Sequence, residues 1–486
     1  MKFLGMDVGT TRMKCGIYNE NGELQYTDSI DYGELQVNRE SYIDIVEILS
    51  SAYRLLERAY KNCPFDTITI SSLGESFVLL DKEDNVLFYP MLYIDPRGKE
   101  EAEMQRENRE QIFQISGVYP QSMYSVYKLM WIKKNFPDIY AKADKVLLVG
   151  EYISYKLTGI RSIDYSQAAR TGGFDIHKKQ FSDELCILFG LKKTLFSPAI
   201  PSGTIIGEVK KTTIREWKAT TPIYVISGGH DQVCATLGSG VVESGACSDG
   251  MGTVECLTAV YNSLTVEKEI GEYGYPNVPF LDKFYCTYLL NYSCGSLTRW
   301  WLSTCFKEDE ITSGKAFIEI EKGFQDFPTG ILVLPYFAGA ATPYQNIDAK
   351  GAILNLSLVD NPSKIYQAIL EGLCYEMKYN LEMVKKFGIQ PKKLIATGGG
   401  SSSDKWLQMK ADILGIPVYP LLNKEAGICG AAILGAAAIL KVEIKEIAKK
   451  FVKMDEPKIP RKDIRKRYLQ EYRKYKQIYR TIKRFF

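Results

Sequence analysis

Histidine is nearly absent from this chain: His177 and His230 are the only two in 486 residues. A His-rich zinc site or a Ser-His-Asp triad has little to draw on, and although His230 stands beside Asp231, no G-x-S-x-G elbow supplies the serine such a triad needs. The 11 cysteines include no C-x-x-C pair, and Met1-Lys2-Phe3-Leu4 runs straight into Gly5-Met6-Asp7 without a signal peptide. A reduced, cytoplasmic chain is therefore expected. Charge of one sign is lacking too, since a net +3 at this size gives no footing for nucleic acid or an anionic membrane. The uncharged Gly/Ala-rich run Ala426 to Leu440 falls short of the ~20 residues that span a bilayer and reads as a buried helix. What is present, 45% hydrophobic and 24% charged residues, fits a globular chain of roughly two to four domains with a small-molecule partner.

The stretch Pro222 to Gly240 carries the most chemistry. An apolar strand, Ile223 to Ile226, is expected to break at Ser227-Gly228-Gly229 and deliver His230, Asp231 and Gln232 to the start of a helix. A carboxylate at the end of a stiff strand, beside helix N–H groups, suits a base at the mouth of a cleft. An Asp at that place is also a common N-cap, and both readings stay open at this point.

Near the N-terminus, Phe3 to Val8 and Met13 to Tyr18 read as strands joined by the turn Gly9-Thr10-Thr11, and Asn21-Gly22 reads as a hairpin turn. Backbone N–H groups and hydroxyls of a Gly-Thr-Thr turn can cradle phosphate oxygens, with Asp7 holding a hydrated Mg²⁺; an ordinary polar hairpin explains the turn as well. A partial internal echo favours phosphate: Gly9-Thr10 is followed by Tyr18-Asn19 at the spacing at which Gly252-Thr253 is followed by Tyr261-Asn262. If the echo is structural, two lobes of like topology each offer a Gly-Thr turn to one cleft.

Apolar residues at helical spacing from Ser41 to Tyr60 precede a strand, Thr67 to Ser71, which ends at Leu73-Gly74-Glu75-Ser76 before the apolar run Phe77 to Leu80. The loop Asp95-Pro96-Arg97-Gly98 carries both charges. Glu75, Asp95 and Arg97 could grip a polyhydroxylated ligand, against the plainer account of a solvated loop salt bridge. Lys99 to Gln114 reads as a solvated helix face.

The stretch Met123-Tyr124-Ser125-Val126-Tyr127-Lys128-Leu129-Met130-Trp131, closing at Asn135, resembles the first signature of the FGGY carbohydrate kinase family. Ser stands three positions before the Lys, an apolar-x-Trp follows it, and Asn lies close behind. The likeness extends in order along nearly the whole chain. Gly150 to Ile153 resembles a family helix, Gly229-His230-Asp231-Gln232 the segment with the catalytic Asp, and Gly250 to Thr253 the second phosphate loop. Pro335 to Gly339, running on to Glu371-Gly372, resembles the second signature, and Thr397-Gly398-Gly399-Gly400-Ser401 the adenosine-binding turn.

The resemblance implies an α/β, two-lobed actin-like (ribonuclease H-like) ATPase fold with a ligand cleft between lobes 1–241 and 242–486. It implies ATP and Mg²⁺, with Asp231 as catalytic base and Glu75, Asp95, Arg97, Asp231 and Gln232 on the acceptor. Thr10, Thr11, Gly252, Thr253, Gly399 and Gly400 are placed on ATP, and Asp7, through water, with Asp231 on the metal. The acceptor pocket is mixed. Xylulose kinases typically carry Gln-Met-His where Glu75-Ser76-Phe77 stands here, and glycerol kinases carry Arg-Glu where this chain has Gly74-Glu75, losing the Arg. A ketopentose such as xylulose is the expected acceptor, glycerol or a short polyol the alternative, and a non-kinase ATPase of the same fold a rival of another class. The partner expected is a small sugar or polyol, without nucleic acid or membrane, and a homodimer is admitted as an assembly. The basic segment Arg461 to Phe486 is expected to close the chain as a helix packed by Tyr468, Tyr472, Tyr475 and Tyr479.

Overall fold

Two six-stranded mixed sheets organise the computed structural model, which describes residues 1–32, 42–281, 283–423 and 425–485. The first is built from β1 (Lys2–Val8), β2 (Arg12–Asn19), β3 (Leu24–Asp31), β4 (Thr67–Ser72), β5 (Ile205–Glu208) and β6 (Tyr224–His230), in the order β5-β6-β4-β1-β2-β3. The second comprises β7 (Ala246–Met251), β8 (Glu255–Tyr261), β9 (Val278–Phe280), β10 (Phe284–Asn291), β11 (Lys393–Thr397) and β12 (Val418–Pro420), in the order β9-β10-β8-β7-β11-β12.

The sheets repeat one plan. In each, an antiparallel pair (β1/β2 and β7/β8) is extended by antiparallel β3 or by β10 and β9 on one side, and on the other by two parallel strands, β4-β6 or β11-β12, with antiparallel β5 closing the edge of the first sheet. The Gly9-Thr10-Thr11 and Gly252-Thr253 turns link the first two strands of their sheets, so the short sequence echo corresponds to a structural repeat. This is the actin-like arrangement of two α/β lobes.

β6 does not break at its glycines. It runs through Ser227-Gly228-Gly229 to His230, with a register shift against β4 between Ile226 and Gly229. A Cβ on Gly228 would lie 1.8 Å from the Ile70 carbonyl oxygen, so glycine here permits a bulge against the neighbouring strand instead of ending its own. The helix read from Ser41 begins at Ile45 and runs to Asn62, with the Asp44 side chain accepting from Val46 and Glu47 N–H groups; Ser41 itself lies outside the described residues. The Lys99 to Gln114 stretch is two short helices, Lys99–Met104 and Arg109–Ser116, and buries Ile112 and Phe113 in the core, so it is not solvated throughout.

Ala426–Leu440 is a buried helix as expected. It lies against β1 and β4 of the first sheet and against the helix Asp231–Gly238. These contacts are close enough to require glycine: a Cβ on Gly5 would stand 2.1 Å from Ile428 O, and one on Gly238 1.8 Å from Ala426 O. The C-terminal helix, Lys462–Ile482, buries Tyr468, Tyr472, Tyr475 and Tyr479 as its spacing predicts. All 11 cysteines are free thiols, and among the described residues no helix is long and apolar enough to cross a membrane.

Candidate active site

Asp231 is the first residue of its helix, and His230 holds the N-cap position without making a side-chain cap bond. The N-cap reading of Asp231 is thereby corrected: the helix turns one residue earlier than a cap at Asp231 would allow, directly after β6 ends at His230. Asp231 Oδ1 accepts from the Gln232 N–H at 2.6 Å, and 41% of its side chain remains exposed. Burial raises the carboxyl to about 6 against the pull of the Gln232 N–H and the Arg170 charge. Asp7, at the end of β1, accepts from Ser71 Oγ at 2.7 Å, and burial together with the charge of Asp231 raises it to about 6. Two carboxylates, carried by strands on either side of β4, thus share one field.

His230 is buried and neutral, pushed down to about 4 by burial and by Arg170. Its Nε2 lies 3.4 Å from Asp231 Oδ1 and its Nδ1 lies 3.3 Å from the Tyr288 hydroxyl on β10. This geometry fits the tautomer with the proton on Nε2, facing Asp231, while Nδ1 accepts from Tyr288. A residue of the second sheet thereby touches the partner of Asp231.

Glu75 is buried with φ of 61°, in the left-handed region, and its carboxylate is paired with Arg170, whose Nε donates at 2.5 Å. Sequence reasoning treated the guanidinium as lost beside Glu75. The structure supplies one from the end of the short helix Tyr165–Ala169, a connection no local pattern announces. Arg170 is itself buried, and its guanidinium lies 5.1 Å from the Tyr124 ring and 5.8 Å from the Tyr288 ring. It faces a cavity of about 670 Å³ walled by Tyr93, Tyr124, Tyr288 and Tyr292.

Asp95 and Arg97 form a bidentate pair, Nε to Oδ1 at 2.8 Å and Nη2 to Oδ2 at 2.5 Å. The solvated-salt-bridge account does not hold, because Asp95 is only 4% exposed. Arg97 lies 4.3 Å from the Tyr42 ring and 5.4 Å from the Trp131 ring, and buried Lys128 donates to the Asp95 carbonyl at 2.8 Å. Neither residue lines the tyrosine-walled cavity; the pair ties its loop to the Ser125–Asn135 helix.

A second cavity, of about 1030 Å³, brings together Gly252, Thr253, Gly399 and Gly400 with Tyr366 and Trp406. Gly399 has open space where a Cβ would stand, whereas a Cβ on Gly400 would come within 2.8 Å of both Met251 Cε and the Trp406 ring. Thr10 and Thr11 lie outside this lining, exposed on the equivalent turn of the first sheet. Among the described residues no cluster of three or more His, Cys, Asp or Glu is arranged to hold a metal ion.

The model of the FGGY family of carbohydrate kinases, N-terminal domain, matches residues 2–238, and that of the C-terminal domain matches residues 251–439. The xylulose kinase of Bacillus subtilis (strain 168) is 26% identical over 500 residues, covering 99% of this chain and 98% of that protein. Crystal structures described as a gluconate kinase and as a ligand-bound xylulose kinase, both from Lactobacillus acidophilus, each superimpose with a TM-score of 0.91 at 22% identity, covering 99% of this chain and 98% of theirs.

Proposed function

The chain belongs to the FGGY family of carbohydrate kinases, and on that premise we propose that it transfers the γ-phosphoryl group of ATP to a hydroxyl of a ketopentose such as xylulose. Family membership makes it a phosphotransferase with an alcohol group as acceptor and ATP as the implied donor. The xylulose assignment draws on the full-length likeness to proteins named xylulose kinase; the fold alone does not select it, since a gluconate kinase superimposes equally well. The observation that carries the reading is the carboxylate of Asp231, raised to about 6 by burial beside His230, which Tyr288 of the second sheet contacts.

A sugar hydroxyl is a poor nucleophile at neutral pH, so transfer needs an acceptor held in line and a group that takes its proton. In our reading Asp231 Oδ2, which no protein donor occupies, takes that proton. Neutral His230 holds Oδ1 from one side and the Gln232 N–H from the other. The Glu75–Arg170 pair, with Gln232, orients the acceptor in the tyrosine-walled cavity, and Asp95 with Arg97 fixes the wall behind it. The Thr10-Thr11 hydroxyls and the amides of Gly252-Thr253 receive the phosphates, while Gly399 and Gly400 admit the nucleoside. Asp7 and Asp231 fit a hydrated Mg²⁺ as hard oxygen donors, Asp7 through the oxygen that no donor among the described residues engages and Asp231 through water, which leaves its Oδ2 for the acceptor proton; when bound, the ion would neutralise phosphate charge. We set the division between the acceptor lobe and the nucleotide lobe at residues 241 and 242, between helix Asp231–Gly238 and β7.

The test is ADP release across pentuloses, hexuloses, aldonates and polyols. The expected result is the highest kcat/KM with xylulose. A clear preference for glycerol or for gluconate would replace that acceptor within the same family.

A further inference from the structure

One buried charged cluster is unused by this mechanism. Asp249 on β7 and Glu255 on β8 stand on either side of the Gly252-Thr253 turn, and Lys410, on the helix Asp404–Leu414, donates to Asp249 Oδ2 and to Glu255 Oε1. All three side chains are 0% exposed. The two carboxyls also lie within reach of each other, and among the described residues no further donor serves Asp249 Oδ1 or Glu255 Oε2. Lys410 Nζ lies 5.8 Å from the Trp406 ring, and that ring lines the larger cavity together with Gly252 and Thr253.

Such an arrangement is a poor way to gain stability. Three charged groups removed from water lose more hydration than their attraction returns, and an apolar trio of the same volume commonly serves a core as well or better. What the cluster does fix is geometry. Its anions lie on both arms of one turn and its cation on the helix that presents Trp406, so three elements of the cavity share one ionic centre. Met251, at the end of β7, lies close enough to Gly398 and Gly400 that a Cβ on either would come within 2.8 Å of it.

We propose that Lys410 is a positioning residue for the nucleotide: it clamps both arms of the Gly252-Thr253 turn to the Trp406 helix, holding the phosphate-facing amides and the indole at a fixed separation. The proposal rests on assigning the larger cavity to ATP. A consequence follows for charge. Burial pushes both carboxyls up while Lys410 pulls them down, and Asp249 adds to the rise at Glu255. The other titratable groups facing the cluster, the thiols of Cys247, Cys256, Cys294 and Cys374, are all raised by burial and stay neutral. With Glu255 protonated the cluster is neutral. When Glu255 ionises, a net negative charge appears behind the phosphate turn.

The test is calorimetric binding of ATP with Mg²⁺ to the full chain, wild type, Glu255→Gln and Lys410→Met, together with KM for ATP and for xylulose. Between about pH 6.5 and about pH 9 the wild-type Kd for ATP should weaken by roughly tenfold, and Glu255→Gln should match wild type at the lower pH and show no such loss beyond the nucleotide's own titration. Lys410→Met should weaken ATP about tenfold or more while KM for xylulose stays within about twofold. An unchanged pH dependence in Glu255→Gln overturns the clamp, as does wild-type ATP affinity in Lys410→Met. Should Lys410→Met fail to fold, the Gln variant decides alone. A wild-type chain that binds no ATP fails the assignment of the cavity; a wild type that binds while its variants bind equally well fails the clamp only.

Discussion

Replacing Asp231 with Asn tests the functional reading at its centre. The substitution keeps size and shape, and the amide oxygen can still accept the Gln232 N–H that Asp231 Oδ1 accepts at 2.6 Å, but it cannot take a proton from the acceptor. General-base catalysis contributes about 10² to 10⁴ in rate, or roughly 3 to 5 kcal/mol of barrier, so kcat should fall by that factor. Stability should move little and in a known direction. The first-turn carboxylate gains about 0.3 to 1 kcal/mol from the helix N-terminus, whereas the pKa raised to about 6 means that burial disfavours, in the folded state, an ionised form that still predominates at neutral pH. With 41% of the side chain exposed, solvent screening holds that opposing effect to about 1 kcal/mol or less. The two nearly cancel. The assay pairs coupled ADP release with calorimetric affinities for ATP and xylulose and a thermal melt. A variant that folds, binds both ligands and turns over within about threefold of wild type would refute Asp231 as the base.

Five further substitutions probe the surroundings. Glu75→Gln should raise the acceptor KM about tenfold and leave basal ATP hydrolysis in place, because it breaks an ion pair on the acceptor side; equal loss of both activities would show that Glu75 does not act through the acceptor. Arg170→Met strands buried Glu75 without its cation and should cost about 3 to 5 kcal/mol in denaturant unfolding, so a near-wild-type midpoint would show that the pair carries no such weight. At the nucleotide turn, Gly400→Val forces a side chain against Met251 and Trp406 and should raise KM for ATP far more than KM for the sugar, while Gly399→Ala, with open space around its Cβ, should fold normally; matching effects of Gly400→Val on both substrates would remove this turn from the ATP site. Finally, Glu371, buried against Thr329 and Gln367, is raised by burial from 4.5 to about 8. The folded protein keeps a proton there that the unfolded chain gives up, so this residue lowers stability as pH rises from about 4.5 to about 8, by up to about 1.4 kcal/mol per unit. Chemical denaturation at about pH 5 and about pH 8 should show a smaller decline in Glu371→Gln than in wild type; equal declines would refute the assignment.

Much of the fold is legible in the sequence because local rules and tertiary demands agree in it. The alternating strands around Gly9-Thr10-Thr11 and the tyrosine spacing of the final helix both predict what forms. Legibility fails where distant chain segments set the environment. Glycine reads as punctuation, yet Gly228 sits inside β6 because the Ile70 carbonyl approaches from the next strand. Nothing near Glu75 announces Arg170, which arrives from a different helix. Asp95 and Arg97 read as a surface pair until Tyr42, Lys128 and Trp131 close over them. Asp231 is legible as a carboxylate at a strand end, whereas its link to Tyr288 through His230 depends on how the two sheets meet.

The helix Ala426–Leu440, seated on β1 and β4, has a consequence for the order of synthesis. Those strands leave the ribosome hundreds of residues before the helix that covers them. At about 5 to 20 residues per second, the apolar face they present stays open for tens of seconds. Throughout that interval the nascent chain carries a formed or forming sheet with one side uncovered, and a chain terminated before residue 426 carries it permanently. Premature termination therefore leaves no smaller working protein, only an adhesive fragment for chaperones and proteases to clear.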